Sequence, residues 1–237
     1  MVGKATLFHF GEKYMDNIKS KRTWGSHIPI NKALMETYDI TGILELGAGY
    51  HSTKMFFDSV EHVLSVETDP AWVDEIKEIV PESENHNIVR YEIDPSITRA
   101  SRAWDVGEDF LEESVKFFKS QHKILKKSSK VNLLFVDCIS SLRRAALDEM
   151  YTDFDFVVFH DYNLRGRNNH WRGTFRPNSK YKMFVDATYP QHTGIIMKNK
   201  YAKKIDELSE RFDENVFKYT STNDKPMLMK AEDYGDM

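Results

Sequence analysis

Residues 42–53 read GILELGAGYHST, an apolar run with an acid inside it that ends on two glycines. Ile43, Leu44 and Leu46 have the pattern of a buried strand, and Glu45 interrupts them. Gly47 and Gly49 follow, and Ser52 and Thr53 are residue types that open helices. A strand that ends in glycines and feeds a helix brings backbone N–H groups close to a small polar ligand. The ligand depends on what flanks this turn.

On either side, short apolar runs alternate with helical stripes. Strands are expected at Ile40–Leu46, His62–Thr68, Asn87–Asp94, Val131–Val136 and Phe154–Phe159. Helices are expected at about Ser52–Val60, after Asp69-Pro70 as N-cap and first helical residue, at about Glu108–Lys126 and at about Ser140–Met150. Trp72, Val73, Ile76, Ile79 and Val80 make one apolar face, and Phe110, Leu111, Val115, Phe118 and Leu125 make another. Strand–helix alternation of this kind predicts a parallel sheet with helices on both faces. Tyr181–Ala187 and Thr193–Lys198 are linked too tightly for a crossover helix, so they are expected to pair antiparallel. The expected fold is thus a Rossmann-like doubly wound α/β sheet of about seven strands, mostly parallel, with an antiparallel C-terminal hairpin. Tyr201–Asn215 reads as a charged surface helix and the last residues, AEDYGDM, as frayed.

At 237 residues with 41% apolar composition, the chain suits one sizeable domain. The expected division is an N-terminal helical or lid segment over 1–38, a core over 39–200 and a C-terminal helix and tail over 201–237. A net charge of −4 provides no field to recruit nucleic acid or a membrane surface. One cysteine, Cys138, excludes an internal disulfide and fits a reducing compartment. MVGKATLFHFGEKYMD has no apolar signal core, and the longest apolar run is too short for a bilayer, so a cytoplasmic location is expected.

The polar strand ends converge. Thr68, Asp94, Asp137 and Asp161 each follow an apolar run. In doubly wound sheets, ligands sit beyond these carboxyl ends, near the switch in strand order. Glu67 lies about 20 residues past the glycine turn, where an acid accepts the two hydroxyls of a ribose.

ELGAG at residues 45–49, followed by SVETDPAWV at residues 65–73, resembles the class I S-adenosylmethionine-dependent methyltransferases. The resemblance extends over roughly residues 30–200 and includes the terminal hairpin. It implies S-adenosylmethionine as cofactor. Gly47 and Gly49 would let the backbone approach its methionine part, Glu45 would face its ammonium side, and Glu67 would hold the ribose. His51 and Ser52 would shape the cofactor pocket, and Asp94 would sit near the adenine amino group; Asp94 is equally a turn residue before Pro95.

The fourth and fifth strands also resemble metal-dependent catechol-type and macrolide-sugar O-methyltransferases. That resemblance implies an Mg²⁺ site of Asp137, Asp161 and Asn163, with the metal holding a substrate hydroxyl. Two features depart from the pattern: Tyr162 separates Asp161 from Asn163, and CISSLRR after Asp137 lacks the base lysine. Asp137 and Asp161 read equally as strand and helix caps that line the pocket. His160 is the remaining catalytic candidate, as a base that takes a proton from a hydroxyl or amine, or as a structural histidine.

LRGRNNHWRGTFRP, residues 164–177, follows the fifth expected strand. Arg165, Arg167 and Arg172 with Trp171 suit a small phosphate- or carboxylate-bearing substrate, or else form a solvated loop. Arg143 and Arg144 are further anion binders or helix-face residues, and Trp24 and His27 form an opposite lip or pack in the core. Methyl transfer, with oxygen as the acceptor, explains the most residues. A nucleotide-dependent oxidoreductase shares the glycine turn and Glu67, and a non-catalytic scaffold shares the fold. Nothing in the sequence sets an oligomeric state.

Overall fold

Five parallel strands, four of them buried almost throughout on both faces, form the heart of one sheet. The structure, a computed structural model, describes residues 25–97, 106–162, 175–189, 191–219 and 226–231. In chain order these form α1 (Ile28–Thr37), β1 (Gly42–Leu46), α2 (Ser52–Ser59), β2 (His62–Glu67) and α3 (Pro70–Ile79). There follow β3 (His86–Arg90), α4 (Glu108–Leu125), β4 (Asn132–Val136), α5 (Ser140–Met150) and β5 (Phe156–Phe159). The chain then runs through β6 (Tyr181–Asp186), β7 (Thr193–Lys198), α6 (Ile205–Tyr219) and β8 (Leu228–Lys230).

The strand order is β3-β2-β1-β4-β5-β7-β6-β8. Pairings among β1 to β5 are parallel, and every pairing beyond β5 is antiparallel. This is the expected Rossmann-like doubly wound sheet with its terminal hairpin. Among the described residues the sheet has eight strands rather than about seven. The extra strand, β8, is three residues long and pairs with β6, too short to carry a legible alternation.

Side-chain alternation along each strand feeds two cores. Ile43, Leu133, Phe135, Phe156 and Val158 face α1, α2, α3 and α6. Leu44, Leu46, Leu134, Val136 and Phe159 face α4 and α5. The charged C-terminal helix is not merely a surface helix: Leu208, Phe212 and Val216, four residues apart, are fully buried in the first core. Asp69 caps α3, accepting from the N–H groups of Ala71 and Trp72, with Pro70 opening the helix.

β1 and β4 lie side by side while their connections leave in opposite directions, which makes the crevice beyond them the switch point. No helix among the described residues is long and apolar enough to cross a membrane.

Candidate active site

A cavity of about 320 Å³ opens at the carboxyl ends of β1, β2, β4 and β5. Its size falls within the range of small-molecule sites. The turn after β1 (residues 47–52) forms one wall, with Glu67 and Trp72 beyond it. Asp137, Arg143, His160 and Asp161 form a second wall, with His27 and Gln191.

Gly47 has φ 94°, and a Cβ there would overlap the Asp137 carbonyl group, so both conformation and space require glycine. Glu45 answers for the shape of the turn. Its side chain is fully buried beneath the loop and does not line the cavity. Thr53 donates its hydroxyl to Glu45 Oε2 at 2.7 Å and accepts the Gly49 N–H at 2.9 Å. Ser65 donates to the same carboxylate oxygen. The acid inside the strand thus anchors the hydroxyl that fixes Gly49.

Burial pushes the Glu45 carboxyl up to about 7, against the hydrogen bonds from Ser52, Ser65 and Thr53. Burial likewise raises Asp186, at the end of β6, to about 7. The folded state therefore binds more protons than the unfolded chain between the ordinary carboxylate range, about 4, and about 7. Stability is expected to fall as pH rises through that window and to level off above it. Melting temperature against pH checks this: the double substitution Glu45→Gln, Asp186→Asn should flatten the slope, and an unchanged slope would refute the assignment.

Glu67 is buried and ends β2. Its Oε1 accepts the N–H of Thr68 at 2.7 Å and of Asp69 at 2.9 Å. Trp72 donates its indole N–H to the Ala48 carbonyl at 2.7 Å and packs edge-on against Tyr50 at 4.3 Å. This wall joins α3 to the glycine turn. Ser52 and His51 also line the cavity, and burial lowers the His51 pKa.

Arg143 organises the other wall. Its Nη2 donates to Asp137 Oδ1 at 2.6 Å, its Nη1 to Asp161 Oδ2 at 2.7 Å, and its Nε to the Cys138 carbonyl at 2.7 Å. His160 Nδ1 lies 3.3 Å from Asp137 Oδ2 and 3.7 Å from Asp161 Oδ1, and its Nε2 lies 2.7 Å from Ser26 Oγ. Despite its burial, the pKa of His160 is raised by the Asp137 and Asp161 carboxylates. Both carboxyls are held low by His160 and Arg143. Asp161 has φ 59°, the one positive value at a non-glycine residue among the described residues. The left-handed residue lets Tyr162 turn into the core against Phe159 while Asp161 faces the cavity.

The structure therefore brings Gly47, Gly49, His51, Ser52, Glu67, Asp137, His160 and Asp161 to one cavity. It does not bring Asp94, which is exposed and accepts the Ser96 N–H at 2.8 Å in its own turn. Asn163, Arg165, Arg167, Trp171, Arg172 and Trp24 lie outside the described residues. Arg144 pairs with Asp148 on α5, and burial pushes the Cys138 thiol up to about 12, which leaves it an inert core residue. Sequence reasoning gave no site role to Ser26, Tyr50, Trp72 or Gln191. Trp72 read as part of an apolar helix stripe, and Ser26 gives no signal without knowing that α1 starts beside β5.

The lining is compatible with S-adenosylmethionine on two counts: Gly47 and Gly49 stand in the turn at the end of β1, and the buried acid Glu67 ends β2 in the same cavity. Mg²⁺ does not fit between Asp137 and Asp161. It takes oxygen ligands in a near-octahedral shell, whereas the Arg143 guanidinium already bridges these two carboxylates.

No family model matches the chain, and no curated protein matches it. Solved structures do resemble it. The N-methyltransferase NodS from Bradyrhizobium japonicum WM9 is 11% identical, with TM-score 0.44, over 77% of this chain and 97% of that one. The same protein with S-adenosyl-L-homocysteine gives 10% identity and TM-score 0.40 over 73% and 85%. An RNA methyltransferase from Salinibacter ruber, also with S-adenosyl-L-homocysteine, gives 14% identity and TM-score 0.36 over 72% and 90%. These values do not reach the chemistry of the site. The strand order and the antiparallel terminal stretch are consistent with a Rossmann-like doubly wound methyltransferase fold.

Proposed function

We propose that the chain is an S-adenosylmethionine-dependent methyltransferase that acts on a hydroxyl of a small acceptor. The observation that carries this reading is the single cavity shared by the glycine turn, Glu67 and the Asp137–His160–Asp161 cluster. When bound, the cofactor supplies an electrophilic methyl group. The chain's own work is then to bind, orient and accept a proton. Glu67 takes the ribose hydroxyls, the Gly47–Ser52 turn takes the methionine end, and Trp72 and Tyr50 wall the adenosine side. Beside them in the cavity, Asp161 and Asp137 orient the acceptor hydroxyl, and His160, which the two carboxylates make more basic, takes the proton it releases.

Recognition of an anionic group on the acceptor is assigned to Arg165, Arg167, Arg172 and Trp171. That assignment rests on their place in sequence after β5. Arg143 is not free for such a role, because its donors are bonded to Asp137, Asp161 and Cys138. The described part of the cavity is instead rich in acceptors, which suits a hydroxyl.

Calorimetric titration with S-adenosylhomocysteine, NAD⁺ and NADP⁺ tests the reading. Saturable binding of S-adenosylhomocysteine alone is expected. Binding of a dinucleotide in its place would make the chain an oxidoreductase, and cofactor binding without turnover of any hydroxyl acceptor would make it a scaffold.

A further inference from the structure

We infer that His27, Asp137 and His160 form a binding site for a divalent first-row transition ion of the Zn²⁺ or Co²⁺ kind. The site does not depend on the methyl-transfer reading, and its donors differ from the oxygen set that Mg²⁺ requires. One ligand atom from each of the three residues lies within 4.8 Å of the others. Two imidazoles and one carboxylate suit Zn²⁺ and its neighbours, which take nitrogen readily, and suit Mg²⁺ poorly.

The supporting contacts are those of a metal shell. His160 has its Nε2 held by Ser26 Oγ at 2.7 Å, which directs Nδ1 inward. Asp137 has Oδ1 held by Arg143 at 2.6 Å, which directs Oδ2 inward. Those inner atoms are 3.3 Å apart, close to the ~3.3 Å edge of a tetrahedron with ligands ~2.05 Å from the ion. Partners that fix the far end of each ligand are a regular feature of metal sites.

His27 completes the set. It is 3% exposed, its ring meets the His160 ring edge-on at 4.8 Å, and neither of its nitrogens has a hydrogen-bond partner among the described residues. A buried imidazole without a partner is costly, and a ligand bond would offset that cost. Because no hydrogen bond fixes the ring, a small rotation can bring its nitrogen closer to the other two donors.

The test uses the full chain without an affinity tag, stripped with chelator and titrated with Co²⁺, then Zn²⁺, with Mg²⁺ in parallel. Stoichiometric Co²⁺ binding is expected, with visible d–d absorption of nitrogen ligation that Zn²⁺ abolishes by displacement. His27→Phe should weaken Co²⁺ binding more than ~100-fold and Ser26→Ala about 10–100-fold. Glu67→Ala, on the other wall, should leave it unchanged. Should His27→Phe fail to fold by circular dichroism, His27→Gln gives the same comparison. No Co²⁺ or Zn²⁺ binding, tighter binding of Mg²⁺, or undiminished affinity in the folded His27 variant would each overturn the site. None of these readouts requires cofactor or turnover, so failure here and failure of the methyltransferase reading are separable.

Discussion

Replacing Arg143 by methionine is expected to destabilise the protein by about 3–5 kcal/mol, a large share of a typical domain's stability. The Arg143 side chain is only 10% exposed, and those of Asp137 and Asp161 are 26% and 27% exposed. Methionine matches much of the arginine's volume but leaves both carboxylates, already out of bulk water, without their cation. The guanidinium also bonds the Cys138 carbonyl, so the change frees the segment after β4 from the one after β5. Urea unfolding at neutral pH measures the loss, and a melting temperature about 10 °C lower would accompany it. Arg143→Lys should recover only part, because a single ammonium does not reproduce a planar fork that holds two carboxylates at once. Adding Asp161→Asn to Arg143→Met should also recover part, by removing one of the orphaned charges. If Arg143→Met stays within about 1 kcal/mol of the parent, the cluster is not what joins β4 to β5.

The fold was legible because its signals are local and repeated. Ser140–Met150 and Thr193–Lys198 emerge with the boundaries read from the sequence, and Asp69-Pro70 caps and opens α3 as its chemistry dictates. Legibility failed where the decisive fact was long-range. Glu45 announces itself as an acid in an apolar strand, yet its partners, Thr53 and Ser65, are known only once β2 and α2 are packed against β1. Arg143 looks like an anion binder because arginine in a site usually is one. That the Asp137 and Asp161 carboxylates neutralise it is a property of the adjacent carboxyl ends of β4 and β5, not of any segment. The same holds for His27. In sequence it reads as a lip of the site or a core residue, and only α1 docking over β5 sets its ring against that of His160. Asp94 shows the reverse case: Asp-Pro is a local turn signal, and the local reading is the one its contacts follow.

Glu67→Ala should weaken S-adenosylhomocysteine binding by ~100-fold while lowering the melting temperature by only a few degrees. The separation follows from what the carboxylate holds. On the protein side, Oε1 accepts the N–H groups of Thr68 and Asp69, in a part-buried stretch where water can replace it, at a cost of about 1 kcal/mol. For a domain of this size that amounts to about 2–4 °C. On the ligand side, an ionised acid that accepts from ribose hydroxyls makes charge-assisted hydrogen bonds worth about 1.5–3 kcal/mol each, and every 1.4 kcal/mol is tenfold in affinity. Glu67→Gln keeps an acceptor for the backbone and halves the acceptors offered to the ribose, so its affinity should fall between the two. Glu67→Asp retracts the carboxylate by one methylene and should lose nearly as much affinity as alanine. Calorimetry on the folded variants decides: unchanged affinity in Glu67→Ala would remove the ribose from this acid. The glycine turn would then have to bind its ligand without the residue that gives it a nucleoside partner.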